Sequence, residues 1–375
     1  MYEFSQIVDR RITNSEKYKN TDGKIPLWIA DLDFKCCNKI LNSLREILDV
    51  GVLGYDTLPN DYFEPFILWE KEKNSINLTK DELLTISGVV PGLSMALSIL
   101  TNKGDKVLIQ PPVYYPFFNI IRDNDREIVE NPLKKVNEKY EIDFEDFEKK
   151  IKGCKAMILC SPHNPVGRVF TKDELRKIAD ICKRENVYIL SDEIHSDIIF
   201  GDNKFISMYS FDDIRDRLLV FMSTSKTFNI AGISQAVCII NNSKIREEFV
   251  MEKRRRGLMH EPAFSVMGFY SAYKYGKEWH EKCMKYLEEN IDFVINELGD
   301  SKICTYKPEA TYLMWLDFSH FDISDDEIEN KLLNEANVIL DRGSKFGLEK
   351  HYRLNVGCSR EILGKAINQI KETFK

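Results

Sequence analysis

Val187-Tyr188-Ile189-Leu190-Ser191-Asp192-Glu193-Ile194-His195 sets the frame for the rest of the chain. Its first half is apolar at nearly every position and then stops abruptly in acids. An apolar run without alternation is the pattern of a strand buried on both faces. Four more runs of strand length share it: Val107 to Gln110, Ala156 to Cys160, Leu218 to Met222 and Ala236 to Ile240. Between two of them, Thr171-x-x-Glu174 reads as a capping box opening an amphipathic helix to Arg184. Strands buried on both faces need helices above and below them, and alternation of strand with helix supplies both. The expected fold class is therefore α/β, with a mostly parallel sheet covered by helices.

At 375 residues the chain exceeds one ordinary hydrophobic core, so two domains are expected. Residues 46–284 read as the large α/β domain. From about 285 the pattern changes: Cys283 to Leu298 is one charged amphipathic helix, followed by short runs at Tyr312 to Asp317 and Tyr352 to Asn355. Residues 285–375 are read as a smaller α+β domain. Residues 1–45 are too few to fold alone and are expected to join it or to drape over a neighbour.

Composition narrows the partners. A hydrophobic fraction of 43% with 30% charged residues belongs to a folded, water-soluble protein, and a net charge of −7 argues against nucleic acid or anionic lipid. The nine cysteines include no Cys-x-x-Cys pair, which suits reduced thiols. Met1 to Arg10 lacks an apolar leader, and no run approaches the ~20 apolar residues of a membrane span. A cytoplasmic protein that binds neither membrane nor nucleic acid is expected.

Ser223-Thr224-Ser225-Lys226-Thr227-Phe228-Asn229-Ile230-Ala231-Gly232 begins where a buried strand ends. A lysine amine forms a Schiff base with an aldehyde cofactor, and hydroxyls such as Ser223 and Ser225 donate to a cofactor phosphate. The rival Ser-x-x-Lys reading makes Ser223 an acyl-transfer nucleophile, but no Lys-Thr-Gly or Ser-Asp-Asn accompanies it. A pyridoxal ring needs an acid at its nitrogen, and Asp192 stands at the end of its strand. Asp192 to His195 also spells an ATPase acidic box, yet no Gly-x-x-x-x-Gly-Lys-Ser/Thr loop and no second metal-ligand cluster support it, so no metal is expected.

Four further pieces complete the pattern. Gly88, Val89 and Val90 precede a helical stretch from Leu93 to Leu100, and their amides suit a phosphate. Tyr114 offers a ring to stack on the cofactor, and Asn164, in Ser161 to Arg168, a donor to its phenolic oxygen. Arg353 offers a planar fork for a substrate carboxylate. Each also has a plain structural reading: a helix start, a core aromatic, a strand-end turn, a surface ion pair.

In this order and together, these residues resemble the fold-type I pyridoxal-phosphate enzymes of the class I/II aminotransferase superfamily. Ala30-Asp31-Leu32-Asp33-Phe34, Gly54-Tyr55 and Asp192-Glu193-Ile194-His195 are similar to the MalY/PatB-type cystathionine β-lyase subgroup. The chain departs from ordinary aminotransferases at His195, usually Tyr, and at Ser234, usually a phosphate-binding Arg. The resemblance implies an aspartate-aminotransferase-like fold and bound pyridoxal 5'-phosphate. It also implies a homodimer with shared active sites, in which Tyr55 reaches the partner's cofactor phosphate. His195 would lie beside the cofactor, while Ala30, Asn164 and Arg353 would contact an amino-acid substrate. The implied reaction is β-elimination from L-cystathionine or another cysteine S-conjugate, with Lys226 as the base. The same residues serve an aminotransferase. A regulatory cofactor-binding module is the other alternative; it would need an attached DNA-binding domain or a missing lysine, and the short basic run Lys253 to Arg256 reads as a solvated helix face or a minor ligand patch.

Overall fold

The computed structural model describes residues 2–375. Seven strands form its central sheet: β1 (Leu83–Ile86), β2 (Lys106–Ile109), β3 (Glu127–Glu130), β4 (Cys154–Cys160), β5 (Tyr188–Asp192), β6 (Leu218–Ser223) and β7 (Ala236–Ile240). Their order across the sheet is β1-β7-β6-β5-β4-β2-β3. The strands from β6 through β3 pair in parallel, and β7 alone runs antiparallel to both of its neighbours. All five expected runs are strands of this sheet, so the mostly parallel α/β fold holds.

Burial on both faces is visible residue by residue. Ile158 of β4 and Leu190 of β5 join one core with Leu93, Ala96 and Leu97 of helix α1 (Val89–Leu100). Met157, Leu159 and Ile189, the alternate residues, join a second core with Leu175, Ile178 and Cys182 of helix α2 (Lys172–Arg184). The α2 capping box forms in both directions between Thr171 and Glu174.

Helix α1 begins at Val89, four residues before the expected Leu93, with Gly88 as its cap. Pro91 fits because first-turn amides need no intrahelical partner. Gly92 fits because the helix lies close on the sheet: a Cβ there would stand 2.5 Å from Ile86 Cδ1 and 3.1 Å from Phe221. The sequence pattern misses β3, a short edge strand whose half-buried residues give no apolar run. It also misses the hairpin of Lys134–Val136 with Lys139–Glu141.

Toward the C-terminus, β8 (Leu313–Asp317), β9 (Asp341–Arg342) and β10 (His351–Asn355) form an antiparallel sheet in the order β8-β10-β9. Helices α3 (Lys277–Leu298) and α4 (Arg360–Thr373) accompany it. Helix α3 starts six residues before Cys283, so position 285 falls inside it. Near the N-terminus, Ile25–Pro26 pairs in parallel with Val338–Ile339. Among the described residues no helix is long and apolar enough to cross a membrane.

Candidate active site

Parallel strands place their carboxyl ends on one edge of the sheet, where the loops that follow converge. Here β5 ends in Asp192, β4 ends in Cys160 four residues before Asn164, and β6 ends in Ser223. A single helical turn, Thr224–Thr227, then carries Lys226. From the other side of the sheet, β1 leads through Gly88 into α1. Together they enclose a cavity of about 230 Å³ whose wall includes Lys226, Asp192, His195, Asn164, Tyr114 and Ser225. Gly88, Val89, Val90, Ala30 and Ser234 also line it. A larger open cleft of about 810 Å³ beside Ser196 and His280 contains none of the residues singled out from sequence.

The N-terminal strap that closes the cavity is tied down by its neighbours. Lys226 Nζ donates to the Ala30 carbonyl at 2.6 Å, and Tyr312 donates to the same oxygen at 2.9 Å. Asn229, three residues past the lysine, accepts from the Leu32 amide and donates to the Leu32 and Phe34 carbonyls. The run that bears the lysine therefore also holds the strap against it.

Electrostatics at the cavity follow from burial. The Lys226 amine is lowered to about 8, first by burial and then by the Arg353 charge, with Asp31 and Asp192 opposing. Asp192 is pushed up to about 7 by burial, against the pull of the Ile194 amide on one oxygen at 3.1 Å and of the Lys226 charge. His195 is held well below its usual range by burial and by the Lys226 and Arg353 charges, and its buried Nδ1 has no partner. Tyr114, raised to about 12 mainly by burial, packs edge-on against Phe117.

A ring cofactor with a phosphate fits this wall. Asp192 is 4% exposed and has no cationic hydrogen-bond partner, so it lacks what a protonated ring nitrogen supplies. Val89 and Val90, whose amides open α1, line the same cavity as Ser225. A family model for aminotransferases of class I and II matches residues 62–370. The chain belongs to this family.

Family relatives match along the full length. The cystathionine β-lyase PatB of Bacillus subtilis strain 168 is 36% identical, over 98% of each chain. Cystalysin of Treponema denticola, solved with a pyridoxal 5'-phosphate cofactor, superposes with a TM-score of 0.96 at 31% identity. That superposition spans 100% of this chain and 98% of cystalysin. The pyridoxal-phosphate-bound C-S lyase of Staphylococcus hominis gives 0.93 at 32% identity, with the same coverage.

Against that family background the remaining expected residues fall into three positions. Arg353 donates to Asn164 Oδ1 at 3.0 Å and to the Trp28 carbonyl at 2.9 Å, while its buried Nε has no partner. It is a buried group and not a surface ion pair. Ser223 lies behind the wall, donating to the Gln235 carbonyl and sharing a 2.8 Å hydrogen bond with Ser225, so of the two serines only Ser225 faces the cavity. Tyr55 stands apart from its own chain's cavity, 91% exposed, with its ring 5.2 Å from that of His260.

Sequence reasoning missed Asp341, which accepts from Arg353 Nη2 at 2.9 Å, and Lys345, whose Nζ lies 3.1 Å from the same carboxylate. No motif marks them. Asp341 meets Arg353 because β9 pairs with β10 in that register, which no local pattern encodes. Among the described residues, no three His, Cys, Asp or Glu side chains are placed to hold a metal ion.

Proposed function

We propose that this protein is a pyridoxal-5'-phosphate-dependent carbon–sulfur lyase, cleaving L-cystathionine or a related cysteine S-conjugate to a thiol, pyruvate and ammonia. The observation that carries the proposal is one cavity holding Lys226, Asp192 and His195 beside Arg353, in a chain 36% identical end to end with a cystathionine β-lyase.

When bound, the cofactor supplies an aldehyde carbon for amine exchange and a protonated ring that draws electrons from the substrate Cα. Lys226 is the group that bonds to it, since an amine lowered to about 8 is uncharged in a useful fraction near neutral pH. Asp192 holds the ring-nitrogen proton. Val89, Val90 and Ser225 take the phosphate, with Gly88 shaping the approach and Ser223 fixing Ser225. Tyr114 packs on the ring, while Asn164 and His195 border it. Arg353, steadied by Asn164, takes the α-carboxylate and so orients the Cα–H bond, and the Ala30 carbonyl borders the substrate. The Lys226 amine, when not bonded to the cofactor, would be the base for the Cα proton, and the thiolate would leave Cβ with the electrons of the C–S bond. The released enamine takes up water to give pyruvate and ammonia.

The proposal extends to assembly. Val52, Leu53 and Tyr55 form an exposed, largely apolar stretch, which supports a homodimer in which Tyr55 reaches the partner's cofactor phosphate. Residues 1–45 belong with a small domain of residues 285–375, beside a cofactor-binding domain of residues 46–284. The Ile25–Val338 pairing supports that grouping. A cytoplasmic location suits the nine free thiols.

The test is incubation of the cofactor-loaded protein with L-cystathionine, following pyruvate and free thiol. Equal yields of both without any 2-oxo acid are expected. Turnover only after 2-oxoglutarate is added would make the protein an aminotransferase, and the absence of visible absorbance from Lys226-bound cofactor would overturn the cofactor assignment.

A further inference from the structure

Arg353 does not stand alone. Asp341 lies between two cations, with Oδ2 2.9 Å from Arg353 Nη2 and Oδ1 3.1 Å from Lys345 Nζ. Asp341 is 1% exposed and Arg353 3%, whereas the Lys345 side chain is 50% exposed at the rim. The turn that makes this possible is Gly343–Phe346, directly after β9. A Cβ at Gly343 would lie 2.3 Å from the His351 carbonyl oxygen and 2.4 Å from that of Leu348, so only glycine lets the turn press against β10. Phe346, from the same turn, lies under the Arg353 guanidinium at 4.8 Å.

We infer that Lys345 and Asp341 set the charge with which Arg353 meets a carboxylate, Lys345 keeping Asp341 from cancelling the guanidinium. Two cations and one anion leave the cluster with a single positive charge. One α-carboxylate then brings a buried site to neutrality, the state that low-dielectric surroundings favour. Without Lys345, Arg353 and Asp341 would already be a neutral pair, and an arriving carboxylate would leave a net negative charge in the interior. Without Asp341, the guanidinium would keep Asn164 and the Trp28 carbonyl but lose its one charged partner. Lys345 and Asp341 are thus positioning residues acting through Arg353, and the inference rests on the reading of Arg353 as the carboxylate-binding group.

The experiment is titration of the cofactor-loaded protein with 2-methylalanine, an amino acid without a Cα hydrogen, followed through the visible spectrum of the bound cofactor. Neither lyase nor aminotransferase turnover is needed for this readout. K345M is expected to weaken binding about tenfold, while K345R binds like the unaltered protein. The double variant K345M/D341N again carries one positive charge and is expected to recover most of the loss, an outcome that damage to packing alone would not give. With a sulfur substrate, the K345M loss falls on KM and not on kcat. Binding by K345M as tight as by the unaltered protein, or no recovery in the double variant, would overturn the inference. R353M separates the two levels: if R353M binds 2-methylalanine normally, the Arg353 reading itself fails.

Discussion

The two ends of the proposed site, the cavity wall at α1 and the Arg353 cluster behind Asn164, solve the same problem, holding an anion, by different means. At the proposed carboxylate end a buried guanidinium pairs with a buried carboxylate that also meets a half-exposed ammonium, which leaves the cluster one positive charge to spare. At the proposed phosphate end the wall is neutral: helix amides at Val89 and Val90, the Ser225 hydroxyl and Ser234. Lys226 is the only Lys or Arg among the described residues lining the cavity, and it points to the Ala30 carbonyl. The difference matches the lifetimes of the two ligands. A substrate must be caught and released at every turnover, and a fixed charge pair gives orientation quickly. A cofactor tethered through Lys226 needs less electrostatic grip, so neutral donors and a helix terminus suffice.

Removing the fixed charge should have the largest effect. R353M leaves Asp341 buried with only the rim lysine to balance it. Truncating one partner of a buried, hydrogen-bonded charge pair with a ligand costs about 2–5 kcal/mol, so kcat/KM is expected to fall on the order of 10²- to 10³-fold. Steady-state kinetics with L-cystathionine would measure it, and a loss of only a few-fold would erase the contrast between the two ends.

The amine between them gives the next prediction. Attack on an aldehyde needs uncharged Lys226, and its depressed value of about 8 brings that form within reach of neutral pH. Reconstitution of cofactor-free protein, followed by absorbance after mixing, is expected to speed up about tenfold per pH unit up to about pH 8 and then to level off. A rate still climbing at pH 10 would mean that the amine keeps its ordinary affinity for protons.

Asp192 makes a matching statement about stability. Its value, raised to about 7, means the folded cofactor-free protein binds this proton more tightly than the unfolded chain does. Stability is therefore lost as pH rises from about 4 to about 7, and the full penalty is present above that range. D192N should stabilise the cofactor-free protein at pH 8 by ~2 kcal/mol in urea denaturation, while sharply lowering activity with cofactor bound. Destabilisation of the cofactor-free form by D192N would contradict the account of a carboxylate waiting for a protonated ring.

How much of this was legible in the sequence depended on whether the signal was local. Strands β4 to β7 announce themselves because burial on both faces forces an unbroken apolar run, whereas edge strand β3 has no such requirement and passed unnoticed. The early start of α1 is not legible because Pro91 and Gly92 are residues that commonly punctuate turns, whereas here they suit a first turn and close packing on Phe221. Lys226 and Asp192 could be read because Asp192 ends one buried strand and Lys226 lies three residues past the end of another. Asp341 and Lys345 could not, since their role exists only through the pairing of β9 with β10 and the turn at Gly343. Ser223 looked equivalent to Ser225 until the helical turn set one behind the other.

The smallest expected effect probes the neutral end. Ser234 already adopts left-handed backbone, φ 52°, so its conformational cost is paid in the unaltered protein and S234R adds little strain. Because position 234 faces the cavity, the new guanidinium would gain charge-assisted hydrogen bonds to a phosphate that otherwise meets neutral donors. Cofactor affinity, measured by equilibrium dialysis of the cofactor-free protein, is expected to rise about tenfold at low salt, and the gain should shrink as ionic strength increases. The unaltered protein should show little salt dependence, since screening acts on pairs of charges and this end contributes only one. Strong salt dependence in the unaltered protein would place a cation near the phosphate after all, and the two ends of the site would then work by the same means.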